Sequence, residues 1–205
     1  MESLRERNNV DVLEKWLYMP LLYFISYAMI GWCYELIFVA VKEYRIVNRG
    51  FLFGPWLPIY GFAGVLIYFW LYDYAMQSHE IQIRKERLNI KPIMVGFIVM
   101  LVAAFTELFS TYVMDLFGVD WTALWQYYDF SFNFDGRIAL LPSLVFGLIG
   151  TFFIYYGHKW LKKLLENRSE KWCIVRNIIV FLFLFDSLVH CIIGSNFTDV
   201  SLLWF

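Results

Sequence analysis

Glu35, Glu107, Asp186 and His190 are ionisable residues set inside long apolar stretches, while Asn48, Arg49, Asn133 and Arg137 stand beside the ends of such stretches. A charge at the centre of a membrane helix costs on the order of 2.5 to 3.5 kcal/mol. Each of these groups must therefore face protein or water and find a partner. The planar guanidinium fork suits a carboxylate or an anionic ligand. Glu35, Asn48, Arg49, Glu107, Asn133 and Arg137 are thus expected to converge in a polar pocket for a small anionic or polar solute, the glutamates pairing the arginines when it is empty. The same six residues also read as an ionic lock that only holds the helices in one arrangement. Asp186 and His190 stand one helical turn apart and form a candidate proton relay, with a structural hydrogen bond as the plainer use of the pair.

The elements that would position these groups are membrane helices. Hydrophobic residues make up 60% of the 205-residue chain and aromatic residues 21%, far above the share of a soluble domain. Apolar runs of about 20 residues predict five spans: Leu17 to Val41, Pro55 to Met76, Pro92 to Gly118, Ile138 to Gly157 and Ile174 to Gly194. The expected fold is an all-α polytopic bundle, with residues 1–16 as a cytoplasmic tail and 17–205 as a single transmembrane domain. Glu107, Ser110, Thr111 and Met114 share one stripe of their helix. Gly31, four residues before Glu35, lets another helix approach that carboxylate closely. Asp73 and Asp115 lie near span ends and are expected to reach water.

Lysine and arginine set the orientation. The N-terminal tail (Arg5, Arg7, Lys15) and the segments around Arg84 to Lys91 and Lys159 to Arg176 fall on one side, against only Lys42, Arg45, Arg49 and Arg137 on the other. This predicts a multi-pass plasma-membrane protein with a cytoplasmic N-terminus and an exterior C-terminus. No short apolar core with a small-residue cleavage site follows the charged first residues, so a cleaved signal peptide is not expected. Cys33, Cys173 and Cys191 share no metal-ligand spacing and read as small buried hydrophobes.

Two connections stand out. Asn48 to Gly61, NRGFLFGPWLPIYG, combines an amide, a guanidinium, three glycines and two prolines where a plain loop would serve. Its backbone is expected to be specially shaped and a candidate to re-enter the membrane. Val119 to Arg137 is acidic and aromatic. It is expected at the membrane interface, where Trp121, Trp125, Tyr127 and Tyr128 form either a belt or a lid.

GWCYE (Gly31 to Glu35), the Asn48 to Gly61 block, and a Trp, aromatic and Asn element leading into GRI (Gly136 to Ile138) resemble, in this order, the putative ABC-transporter type IV, or CmpB-like, family of small bacterial membrane proteins. The resemblance covers about Gly31 to Gly150, with a weaker echo at Asp186. Family members carry a WDYS-like element; here the run is Trp125, Gln126, Tyr127, Tyr128, so the family's acidic and hydroxyl positions are replaced. The resemblance implies a permease component. With no G-x-x-x-x-G-K-[ST] loop in the chain, ATP hydrolysis would fall to a separate ATPase subunit. Five spans are few for enclosing a solute path, which predicts a homo-oligomer. The lipid bilayer is the other expected partner, and neither nucleic acid, metal nor cofactor is indicated. Two further classes remain as alternatives: an intramembrane enzyme acting on a lipid or lipid-linked substrate, with Glu35 or Glu107 as base, and a membrane scaffold. Against the enzyme stands the lack of a nucleophile-base constellation.

Overall fold

An uninterrupted apolar stretch can satisfy its backbone in lipid only through an internal hydrogen-bond ladder, and the helices follow the runs closely. The structure is a computed structural model that describes residues 14–44, 52–77, 80–83 and 86–193. A π-turn at Glu14–Tyr18 leads into α1 (Met19–Glu43), with Pro20 near the junction. Then come α2 (Pro58–Met76), a short ribbon of β1 (Glu80–Ile83) and β2 (Glu86–Asn89), and α3 (Lys91–Leu116). A second ribbon, β3 (Asn133–Phe134) with β4 (Ile138–Ala139), runs into α4 (Leu140–Phe152). A π-turn at Phe153–Gly157 joins α4 to α5 (His158–Leu165), and α6 (Glu170–Ile193) follows.

The fold is an all-α helical bundle with almost no sheet. Among the described residues four helices are long and apolar enough to cross a membrane: Trp16–Val41, Lys91–Leu116, Leu140–Leu165 and Glu170–Ile192. Phe97, Leu101, Phe105 and Phe109 on α3, and Phe181, Phe185 and Leu188 on α6, are exposed at helical spacing and need hydrocarbon around them. The chain is a multi-pass membrane protein. The fourth run extends past its expected end at Gly157, because the π-turn carries the helix through the glycine to Leu165. The second run forms a 19-residue helix that starts at Pro58 and lies outside the four, its hydropathy lowered by tyrosines and Asp73. All three cysteines are free, and Cys33 and Cys191 lie on exposed faces instead of in the core.

The chain divides into two compact units, Met1–Val65 with Leu164–Phe205, and Leu66–Lys163. In the first, α1 and α6 run side by side in the same direction. Tyr18 donates to Asn177 Oδ1 at 2.6 Å, and farther along the rings of Phe24 and Phe183 meet at 5.7 Å. The start of α2 lies antiparallel to α1 and meshes with it by glycines facing aromatic rings. A Cβ on Gly31 would come within 2.2 Å of the Tyr60 ring, and one on Gly64 within 2.2 Å of the Tyr27 ring. Arg176 is buried and donates to the Leu165 carbonyl, closing the C-terminal end of α5.

In the second unit α3 and α4 also approach through glycines: a Cβ on Gly147 would lie 2.8 Å from the Gly96 carbonyl oxygen, and one on Gly150 2.5 Å from Val99. Leu71, Ala75, Val95, Val99 and Ile154 form the core there.

Candidate functional site

Among the described residues of the first unit, the segment Leu52–Leu57 is the least helix-like part and yet is built into its core. Leu52 and Trp56 pack with Ile25, Ala28 and Phe183, residues from the middle of α1 and of α6. The chain has therefore turned back about 22 Å from the end of α1, given a rise of 1.5 Å per residue. Backbone polar groups at that depth need partners, and the amides of Gly54, Trp56 and Leu57 have them. Gly54 donates its amide to Asp186 Oδ2 at 2.9 Å, Pro55 has no amide, Trp56 donates to the Gly54 carbonyl at 2.8 Å, and Leu57 donates to the Ala28 carbonyl at 3.1 Å. Gly54 is required by crowding, since a Cβ there would sit 2.2 Å from Trp56 Nε1.

Around this segment the first unit gathers three of the sequence-predicted residues. Asp186 holds the Gly54 amide, His190 sets its ring 5.3 Å from that of Phe53, and Glu35 accepts a 2.6 Å hydrogen bond from the Tyr60 hydroxyl just beyond the segment. Asp186 and His190 thus address neighbouring positions of one loop. Asn48 and Arg49 lie outside the described residues.

The second unit collects the other three. Glu107 on α3 is buried and accepts from the Tyr127 hydroxyl at 2.8 Å. Tyr127 donates its amide to the Gly136 carbonyl at 2.9 Å, and Gly136 donates its own amide to Asn133 Oδ1 at 3.0 Å. Asn133 completes the turn by donating to the Phe130 carbonyl at 2.8 Å. The backbone here is left-handed at Phe132, Asp135 and Gly136, and at Gly136 a Cβ would strike the Tyr128 ring at 2.5 Å.

Arg137 Nη1 lies 2.7 Å from Asp115 and its Nε 3.3 Å from Asp135, under the rings of Tyr112 and Trp121 at 4.7 and 4.8 Å. Desolvation opposes the charge on Arg137, but the hydrogen bonds to Asp115 and Asp135 and the charges of both carboxylates together outweigh it and hold the guanidinium above its ordinary pKa. Trp125 Nε1 donates to the Arg137 carbonyl at 3.2 Å. The aromatic loop is therefore fastened to α3 at Glu107 and at Asp115.

Three partners were not predicted from the sequence. Tyr60 and Tyr127, assigned to a special loop and to an interfacial belt, serve the buried carboxylates as neutral donors. Asp115, expected simply to reach water, is the Arg137 counter-ion, with 43% of its side chain exposed. The available signal was Asp135 two residues before Arg137, which marks an arginine already supplied with carboxylates.

The family described as putative ABC-transporter type IV matches residues 22–191 of the chain. No curated protein and no solved structure matches it.

Proposed function

We propose that this chain, which belongs to the putative ABC-transporter type IV family, is a permease-type subunit of a transport system and that a small polar or anionic solute passes the segment Leu52–Leu57. One observation carries the reading: non-helical backbone lies at the mid-height of α1 with its amides tied to Asp186 and to the Ala28 carbonyl. Such backbone is tolerated at membrane depth only where it is enclosed by protein or lines a watery cavity, and transporters use such breaks as solute sites. Helix α2 starts at Pro58, directly after the break.

Glu35, held by Tyr60, and Asn48 and Arg49, four and three residues before Leu52 in the sequence, are the residues we assign to the solute, with Arg49 for an anionic group. Asp186 and His190 shape the segment, and a proton passing between them would change its geometry. Arg137, Asn133 and Glu107, committed to partners of their own, keep the aromatic loop closed. By its Lys and Arg distribution the chain places its N-terminus in the cytoplasm. The energy would come from a separate ATPase subunit on that side, and a second copy of the chain would help enclose the path.

Cysteine accessibility tests this. In a background with Cys33, Cys173 and Cys191 changed to Ser, Phe53→Cys in membranes is expected to react with a membrane-impermeant methanethiosulfonate, and Phe181→Cys on the exposed face of α6 is not. If Phe53→Cys is as inert as Phe181→Cys, water does not reach the segment and the permease reading fails.

A further inference from the structure

The second unit contains a cavity of about 170 Å³ lined by Tyr68, Phe69, Tyr72, Asp73 and Lys162, away from every group used so far. Its wall carries one carboxylate and one ammonium, a pairing that neither a plain cation site nor a plain anion site needs. The tyrosine side of the wall is backed by a built-in support. His158 is 1% exposed and its ring lies 5.0 Å from that of Tyr68 and 4.2 Å from that of Tyr72. Lys162 Nζ stands 6.0 Å from the Tyr72 ring. Aromatic faces beside a carboxylate recognise an ammonium group, while a lysine recognises phosphate as a point charge.

The depth of the cavity is also marked. Asp73 is in the last turn of α2 and Lys162 in the last turn of α5. Trp70, 82% exposed, and Trp160, 65% exposed, lie on the same two helices. Exposed tryptophans with lysines at helix ends are the signature of the headgroup layer.

We propose that this cavity binds a zwitterion made of a primary ammonium and a phosphate a few bonds apart, the headgroup chemistry of phosphatidylethanolamine. The ammonium lies against Tyr68, Tyr72 and Asp73, and the phosphate meets Lys162 at the rim. A quaternary ammonium is bulkier and has no proton to donate to Asp73, and a glycerol headgroup offers that carboxylate no charge. The site therefore selects phosphatidylethanolamine over phosphatidylcholine and phosphatidylglycerol. It does not depend on the permease reading.

The test is native mass spectrometry of the full chain released from micelles containing equal amounts of the three lipids. The wild type is expected to retain phosphatidylethanolamine preferentially. Asp73→Asn and Lys162→Gln should each lower that retention on the order of fivefold, the worth of an exposed ion pair at its upper range, while Lys159→Gln leaves it unchanged. Asp73 is exposed, so its variant should fold, and Lys162→Gln gives an independent reading. A soluble-source arm adds phosphoethanolamine to the same three-lipid micelles. Displacement of bound phosphatidylethanolamine assigns the site to the lipid, whereas binding of the soluble compound without any retained lipid assigns it to a free zwitterion. Equal retention of all three lipids, or equal losses in all three variants, overturns the proposal.

Discussion

The two polar connections of this protein are both rich in aromatic residues and glycine, and they are stabilised in opposite ways. The segment Leu52–Leu57 is built into the helical core and carries no charge of its own. Its amides are met by Asp186 and by a helix carbonyl. The loop around Arg137 has several exposed residues and is clamped by charge, with one guanidinium between two carboxylates and over two rings. Among the described residues, the buried or half-buried carboxylates Glu35 and Glu107 take neutral tyrosine donors, and arginine pairs with carboxylates nearer the surface. The difference follows from desolvation. A second charge brought to a buried carboxylate must itself leave water, whereas a tyrosine hydroxyl supplies a hydrogen bond at far lower cost.

The contrast predicts that damage to the first segment is global and damage to the second is local. Trp56→Ala should be the most severe, removing a buried ring that packs 5.6 Å from Phe183 and costing about 3–5 kcal/mol, read as a large fall in unfolding temperature in detergent. A milder loss in that variant would mean that the segment is only loosely held. Gly31→Ala comes next, because its new methyl meets the Tyr60 ring and overpacking costs about 1–3 kcal/mol. It should also weaken the Tyr60 bond to Glu35, and adding Tyr60→Ala should recover part of the stability.

Asp186→Ala leaves the Gly54 amide without its acceptor, at about 1–3 kcal/mol. Asp186→Asn keeps a carbonyl oxygen there and should retain most of the stability. Equal losses in the two variants would show that the charge of Asp186, and not its acceptor, matters. The smallest effect belongs to Arg137→Lys, which keeps the charge and loses the fork. Faster hydrogen exchange confined to residues near 121–137, with little change in unfolding temperature, is the expected outcome. A global loss there would erase the distinction between the two regions.

Much of this architecture is legible from local patterns. Four apolar runs became helices near their predicted limits, and the glycines and prolines of the Asn48 to Gly61 block mark a backbone that departs from helix. Gly157 misled because a π-turn absorbs a glycine without ending the helix.

Composition, run length and the placement of Gly and Pro determined a membrane bundle, all but one of its main helix limits and the existence of a shaped segment, because those properties depend on each residue's own solvent preference and on neighbours within a turn or two. Only the tertiary structure decided that Glu35 answers to Tyr60, Glu107 to Tyr127, Asp186 to the Gly54 amide and Arg137 to Asp115. Those pairings depend on which elements lie side by side and at what height, and on the cost of bringing a second charge out of water.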